Sequence, residues 1–288
     1  MDLSVTECGP ADAPTLLFVH GAGAGRWQWE PQLARLSQGY HCLVVELPGH
    51  GESAGAPFGS IADCAERLHS LIKTRAHKKA ASVVGVGLGA QVLLDLMARF
   101  PGRVGKAVLL GTQTRPMRGA GWIRLGMLAF APFRNLSVFA QARRRTAGIP
   151  ETFHGPWAEA QKRMGAGTLA QVLMDQVTFV PPAAVAHVAV PVLLLTGDRD
   201  DAVLQRSADD LVGRMRNARA GTVPGFSQAW NLTAPEGFAD TVHAWMTGKP
   251  LPDEVRNLTQ LAPIVVPDGP IRPPVEPEDD DDEWWEET

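Results

Sequence analysis

Short runs of contiguous apolar residues alternate along this chain with stretches whose apolar positions fall three or four apart. The first pattern marks strands covered on both faces, the second amphipathic helices. Residues 15–19, 41–47, 104–110, 190–196 and 218–223 read as buried strands. Residues 2–8, which alternate weakly through Leu3 and Val5, read as an outer one. Ile61, Cys64, Ala65, Leu68, Leu71 and Ile72 define a helix over 60–75, which Ser60 and Asp63 start in the manner of a capping box. A shorter helix is expected over 31–36. Leu204, Ala208, Leu211, Val212 and Met215 share the face of another, and Phe238, Val242, Trp245 and Met246 that of a closing helix. Strands and helices alternating at this spacing predict an α/β fold with a doubly wound, mostly parallel sheet.

Residues 81–97 are the centre of this pattern. A β-branched stretch runs into Gly85, Gly87 and Gly89 and then into an apolar helix-forming run, which predicts a buried strand, a very tight turn and a central helix. Residues 113–182 break the rhythm. They are helical in composition, with an apolar stretch at 122–133, the basic run Arg143-Arg144-Arg145 and an exit at Pro181-Pro182. They are expected to form a helical cap inserted into a core made of 1–112 and 183–248. Periodicity ends after Gly248, and eight of the 23 prolines lie in 249–288, which reads as an extended, disordered acidic tail.

Composition narrows the classes. At 288 residues and 45% apolar content, the chain can bury one full-sized core. It holds no run of about 18 uncharged apolar residues, so no membrane span is expected. The opening Met-Asp-Leu-Ser lacks a secretory pattern. Cys8, Cys42 and Cys64 are an odd number without metal-ligand spacing, and fit small core residues in a reducing compartment. A cytoplasmic location is therefore expected. The net charge of −4 hides an asymmetry: residues 276–288 carry nine acids, and without them 22 acids face 27 Lys and Arg. The bases are scattered and no recognition motif accompanies them, which argues against nucleic acid. In the tail, Trp284-Trp285 inside the acid run supplies an aromatic anchor with electrostatic steering for a protein partner, or for the chain's own basic cap.

The strand–turn–helix at 81–97 is the shape of a nucleophile elbow, G-x-S-x-G, with Gly87 at the serine position. Other motifs agree with it in order. His20-Gly21 closes a buried strand and precedes Trp27 and Trp29. Leu47-Pro48-Gly49-His50-Gly51-Glu52-Ser53 follows the next strand. Gly197-Asp198-Arg199-Asp200 precedes Val203, and Pro224-Gly225 runs to Pro235-Glu236. Together these resemble the α/β-hydrolase superfamily, in its capped esterase- and haloperoxidase-like branch, over roughly 14–247. The resemblance implies a sheet of seven or eight strands, seven if the first strand of the usual N-terminal hairpin is missing. It also implies an oxyanion loop at His20-Gly21, backbone oxyanion donors at Ala22 and Leu88, a triad acid at Asp200 and a triad histidine at position 228.

Position 228 is Gln228, which takes up no proton near neutral pH, and Gly87 has no side chain at all. Acyl transfer needs an activated hydroxyl, a base and an acid that orients the base. Only the acid remains. The expectation is a degenerate hydrolase that binds an apolar small molecule or a protein partner without hydrolysing it. The alternatives are a non-hydrolytic lyase, cyclase or isomerase, and an interaction protein acting through its tail. The candidate ligand-binding residues are His20, Gly21, Ala22, Trp27, Gly87, Leu88, Phe226, Gln228 and Trp230. His20 could instead brace its own loop, and Asp200 could cap local backbone donors. No metal is expected, because Asp198, Asp200 and Asp201 have no histidine nearby. No cofactor is expected either. Gly85 to Ala90 also satisfies G-x-G-x-x-A, but the next strand ends Leu110-Gly111-Thr112 without the acid that a ribose would pair with.

Overall fold

The apolar runs pair into one sheet. The computed structural model describes residues 3–117 and 147–256, with Gly119, Gly126, Gln141, Arg144 and Arg145 from the segment between. Its strands are β1 (Val5–Cys8), β2 (Thr15–Val19), β3 (His41–Val45), β4 (Ala81–Val86), β5 (Val104–Leu110), β6 (Val192–Gly197) and β7 (Ala218–Val223). They lie in the order β1-β3-β2-β4-β5-β6-β7, with β1 antiparallel to β3 and every other pair parallel. The outer strand expected at 2–8 is β1, and the sheet has the smaller of the two expected strand numbers.

Two expected strands end differently. The run at 41–47 stops pairing as a strand at Val45, because the Leu47 N–H goes to the His20 ring at 3.0 Å. The run at 190–196 begins two residues late, after Pro191, which has no N–H to give to a ladder.

Strand side chains alternate between two apolar layers. Leu17, Val19, Leu43, Val45, Val83, Leu109 and Leu194 pack with α2 (Ile61–Arg75), α3 (Leu88–Arg99) and, through Ala208, Leu211 and Met215, α6 (Ala202–Arg214). Leu16, Phe18, Val44, Val84, Val108 and Leu193 face the other way. They meet Leu36 of α1 (Glu30–Leu36) and Phe238, Val242 and Trp245 of α7 (Pro235–Thr247). Helices therefore cover both faces. The start of α2 is capped as expected, the Ser60 hydroxyl accepting the Asp63 N–H at 3.0 Å.

Of the segment expected as a cap, the described residues form α4 (His154–Arg163) and α5 (Ala166–Thr178). Both are tied to the core by side chains. Gln161 Nε2 donates to Gly23 O at 2.7 Å, Gln171 Nε2 to Gly59 O at 2.7 Å, and Asp175 Oδ2 accepts the Ile61 N–H at 3.2 Å. Apart from Gly126, the apolar stretch at 122–133 lies outside the described residues, as do Arg143 and the acid run with Trp284 and Trp285.

The tail expected from 249 needs correction at its start. Gly248 ends α7 with a left-handed φ of 72°, and residues 249–256 fold back onto the domain. Arg256 exchanges backbone hydrogen bonds with Thr222 at the β7 edge, and Val255 is buried beside the Trp230 and Phe238 layer. A stretch this short and broken by Pro250 and Pro252 has no period, so its single buried apolar residue leaves no pattern to read.

Glycine is required where α3 presses on β2. A Cβ on Gly89 would stand 2.2 Å from the carbonyl oxygen of Val19 and 2.7 Å from that of His20. Both are backbone atoms, so the overlap cannot be relieved by a rotamer. Gly89→Ala is expected to cost about 3 kcal/mol, the upper range for overpacking. That corresponds to a melting temperature roughly 6–12 °C lower for a domain of this size. Thermal unfolding of the variant measures it.

Candidate functional site

β4 turns into α3 at Gly87, whose φ of 54° and ψ of −111° are adopted by residues with a Cβ only under strain. The turn is held on both sides: the Gly87 N–H donates to Leu110 O at 3.0 Å, and Gly87 O accepts the Gln91 N–H at 3.1 Å. A Cβ at Gly87 would meet a single neighbour within 4 Å, Gln176 Nε2 of α5 at 3.4 Å. Among the described residues the space above the turn is therefore open, and Gln176 of α5 stands at its rim.

The loop after β2 is braced by two buried histidines. His20 Nε2 accepts the Leu47 N–H at 3.0 Å, so its Nδ1 carries the hydrogen that goes to Gly21 O at 2.8 Å. His50 repeats the pattern: Nε2 accepts the Gly23 N–H at 3.1 Å, and Nδ1 bonds Pro48 O at 3.0 Å. The two rings lie 4.8 Å apart. Burial pushes the His20 pKa down to about 4, and burial together with the neighbouring His20 pushes His50 down to about 3. Both are neutral at physiological pH, with both ring nitrogens already engaged. The bracing reading of His20 is the one its hydrogen bonds support.

Two further side chains complete this brace, and sequence reasoning missed both. Gln28 Oε1 accepts the Gly21 N–H at 2.9 Å. Glu46 accepts the Arg26 N–H at 3.2 Å on one oxygen and the Glu52 N–H at 2.7 Å on the other. Glu46 also explains Gly51, where a Cβ would fall 2.0 Å from its carboxylate. Among the described residues, no group accepts the backbone N–H of Ala22 or Leu88.

Across the site, Asp200 spends both oxygens on backbone. Oδ2 accepts the Gly197 N–H at 2.8 Å and Oδ1 the Gln228 N–H at 2.7 Å. Its pKa is raised by burial, against the pull of those two bonds. Asp200 thus clips the turn after β6 to the loop after β7 and sets the backbone position of Gln228. Asp198 adds a second clip, accepting the Gly225 N–H at 2.7 Å.

These loops and helices α4 and α5 line a partly open cavity of about 200 Å³. Gly21, Ala22, Trp27, Gly87 and Gln228, all expected at the site, line it. His20 and Leu88 are fully buried and are not among the lining residues. Phe226 and Trp230 are a correction. Trp230 is fully buried in the aromatic layer, 5.4 Å from Phe238 in an edge-on contact, and Phe226 packs against Trp230. Both follow a glycine-containing loop, and from sequence such aromatics look alike whether they turn inward to the core or outward to a pocket. Trp157, Leu173 and Gln176, which complete the wall, come from α4 and α5 and carry no motif. Gln28 had one available signal, its place in the turn directly after the glycine-rich loop.

The family model described as "Alpha/beta hydrolase family" matches residues 16–241. The chain belongs to the alpha/beta hydrolase family. Among its curated relatives is the "Magnesium-chelatase 30 kDa subunit" of Rhodobacter capsulatus, 27% identical over 86% of this chain and 92% of that protein. Another is the "Pimeloyl-[acyl-carrier protein] methyl ester esterase" of Nitrosomonas europaea, 26% identical over 81% of this chain and 96% of the relative. Of solved structures, the enol-lactonase of Burkholderia xenovorans LB400 superposes with a TM-score of 0.71 at 18% identity, over 85% of this chain and 96% of that one. That likeness is one of fold. Among the described residues of this hydrolase-family chain, no helix is long and apolar enough to cross a membrane, and no cluster of three or more His, Cys, Asp or Glu could hold a metal ion.

The buried histidines make stability depend on pH. The unfolded chain takes up protons near the ordinary histidine pKa of 6.5, while the folded rings refuse them until about pH 4 and 3. The unfolded state thus binds more protons, and stability is fully present above pH 6.5 and is lost as pH falls below it. For His20 alone the loss between pH 6.5 and 4 is on the order of 3 kcal/mol. Urea midpoints measured across that window are expected to fall, and to fall less steeply in His50→Asn than in the wild type.

Proposed function

We propose that this chain uses the alpha/beta hydrolase scaffold to bind a small uncharged molecule without hydrolysing it. The residue at the elbow carries this reading. Gly87 stands beneath the cavity on a turn whose backbone would present a side chain to it, and it has none to present. Opposite, the position that would supply the proton acceptor holds Gln228, a carboxamide. Loss of the nucleophile or the base alone costs a triad enzyme about 10⁶-fold in kcat. Loss of both leaves Asp200 with nothing to orient, in keeping with its use as a backbone clip.

Gly87 is also the relaxed form of the turn. A residue with a Cβ held at this φ costs on the order of 1–3 kcal/mol, a strain tolerated where a reacting side chain demands it. The relative whose printed name is a chelatase subunit supports a use of this scaffold outside ester hydrolysis. A second reading, a non-hydrolytic lyase or isomerase, draws support from the Ala22 and Leu88 N–H groups, which have no acceptor among the described residues. Such a pair could polarise a ligand carbonyl.

A fluorophosphonate probe is expected to leave the protein unlabelled, and nitrophenyl esters to turn over at background. Labelling at any serine overturns the reading. In the double variant Gly87→Ser with Gln228→His, the new Cβ at 87 has room, and Asp200 lies beside the backbone of position 228. Restoring nucleophile and base is expected to raise ester turnover about 10²-fold over wild type, within the range of positioned acid–base catalysis. Steady-state assays of both proteins measure it.

A further inference from the structure

Among the described residues that line the cavity over Gly87, none has an ionisable side chain. The described polar side chains that line it are Gln28, Gln176 and Gln228, together with the indoles of Trp27 and Trp157. Gln28 already gives its oxygen to the Gly21 N–H. Gln176 and Gln228 are different: the backbone of each is clamped, and the side chain of each is free. Gln91 Nε2, buried at the start of α3, donates to Gln176 O at 2.9 Å and to Gln113 O at 2.8 Å. Asp200 holds the Gln228 N–H, and the Gln228 Cβ sits 2.8 Å from where a Cβ on Gly111 would be. Neither carboxamide has a hydrogen-bond partner among the described residues, and the Trp27 Nε1 is buried without one.

Such a wall discriminates by what it leaves unpaired. A carboxylate or an ammonium would lose its water and meet no opposite charge. A hydrocarbon would leave the two carboxamides unsatisfied. Each glutamine offers an acceptor and two donors side by side, the complement of a carbonyl next to an N–H, as when glutamine reads the donor–acceptor edge of adenine. The volume of about 200 Å³ lies below the roughly 300–1,000 Å³ of drug-sized pockets, which suits a single ring or a short chain.

We infer that Gln176 and Gln228 select an uncharged ligand with an amide-type edge, such as a lactam, an imide or a carbamate, held over Gly87. The inference rests on the non-hydrolytic binding reading and adds the class of ligand and the two residues that choose it. Gln176 belongs to the cap and Gln228 to the core, so a ligand that pairs with both also joins the two.

The test uses the full chain and four size-matched probes at neutral pH: 2-piperidone, δ-valerolactone, pentanoate and piperidine. Ligand-observed NMR titrations give their affinities, and thermal unfolding checks that the Gln176→Leu and Gln228→Leu variants remain folded. The lactam is expected to bind about tenfold tighter than the lactone, the scale of one donor–acceptor pair. Neither charged probe should compete, and each variant should erase the lactam preference. Equal binding of lactam and lactone overturns the inference. So does occupancy by pentanoate or piperidine, a preference that survives both variants, or the absence of binding by all four probes. Hydrolysis of the lactone by the wild type would instead overturn the non-hydrolytic reading, and the lactam-to-lactone ratio would still judge the glutamines.

Discussion

A single backbone angle sets the geometry around the cavity. At Gly87 the chain leaves the centre of the sheet and enters α3 with a left-handed φ, and this lets the first turn of the helix sit directly above the strand ends. The approach is so close that Gly89 has no room for a methyl group against the carbonyls of Val19 and His20. Gly85 is equally crowded, its missing Cβ lying 2.8 Å from the Ala90 nitrogen. Gly85 and Gly89 are glycine because a Cβ has no room there, and Gly87 has a left-handed φ; together they join the start of α3, the end of β2 and the floor of the cavity. The demand is one of shape and holds whatever chemistry the site performs.

Around that turn the protein builds a rigid polar frame with neutral groups. His20 and His50 join the loop after β2 to the turn after β3, while Glu46 and Gln28 pin the same two loops from the other side. Each group is buried and satisfied, the condition under which buried polar networks specify one arrangement. Burial keeps the histidines uncharged, so the frame is robust at neutral pH and vulnerable to acid. In functional terms it fixes the backbone N–H of Ala22 without giving the site a proton acceptor.

Helices α4 and α5 bring further side chains to the cavity. Trp157 and Leu173 supply apolar wall and Gln176 a carboxamide, while Gln91, Gln161, Gln171 and Asp175 tie the two described cap helices to the core. The described lining residues give the cavity apolar walls with a few neutral donors and acceptors. The clip at Asp200 fits the same economy, because its two hydrogen bonds hold a loop.

Much of this was legible in the residues themselves, because periodicity records burial. The alternation of apolar runs with three- and four-spaced positions follows from which side chains must face a sheet or a helix layer, so the strands, the helices and their order could be read directly. Gly85, Gly87 and Gly89 announced the turn, since three glycines at alternate positions have few other uses between a buried strand and an apolar helix. The absence of a hydroxyl at 87 and of an imidazole at 228 was equally plain. Which way an aromatic turns was not. Trp27 and Trp230 carry the same chemistry, yet one walls the cavity and the other fills the core. Nor could spacing reveal that Gln176, 89 positions after Gly87, would stand over it. Local sequence determined each element and the residue at each turn. The neighbours of the cavity were decided only when helices α4 and α5 packed beside the sheet ends, because contacts between distant segments depend on packing that no local period encodes.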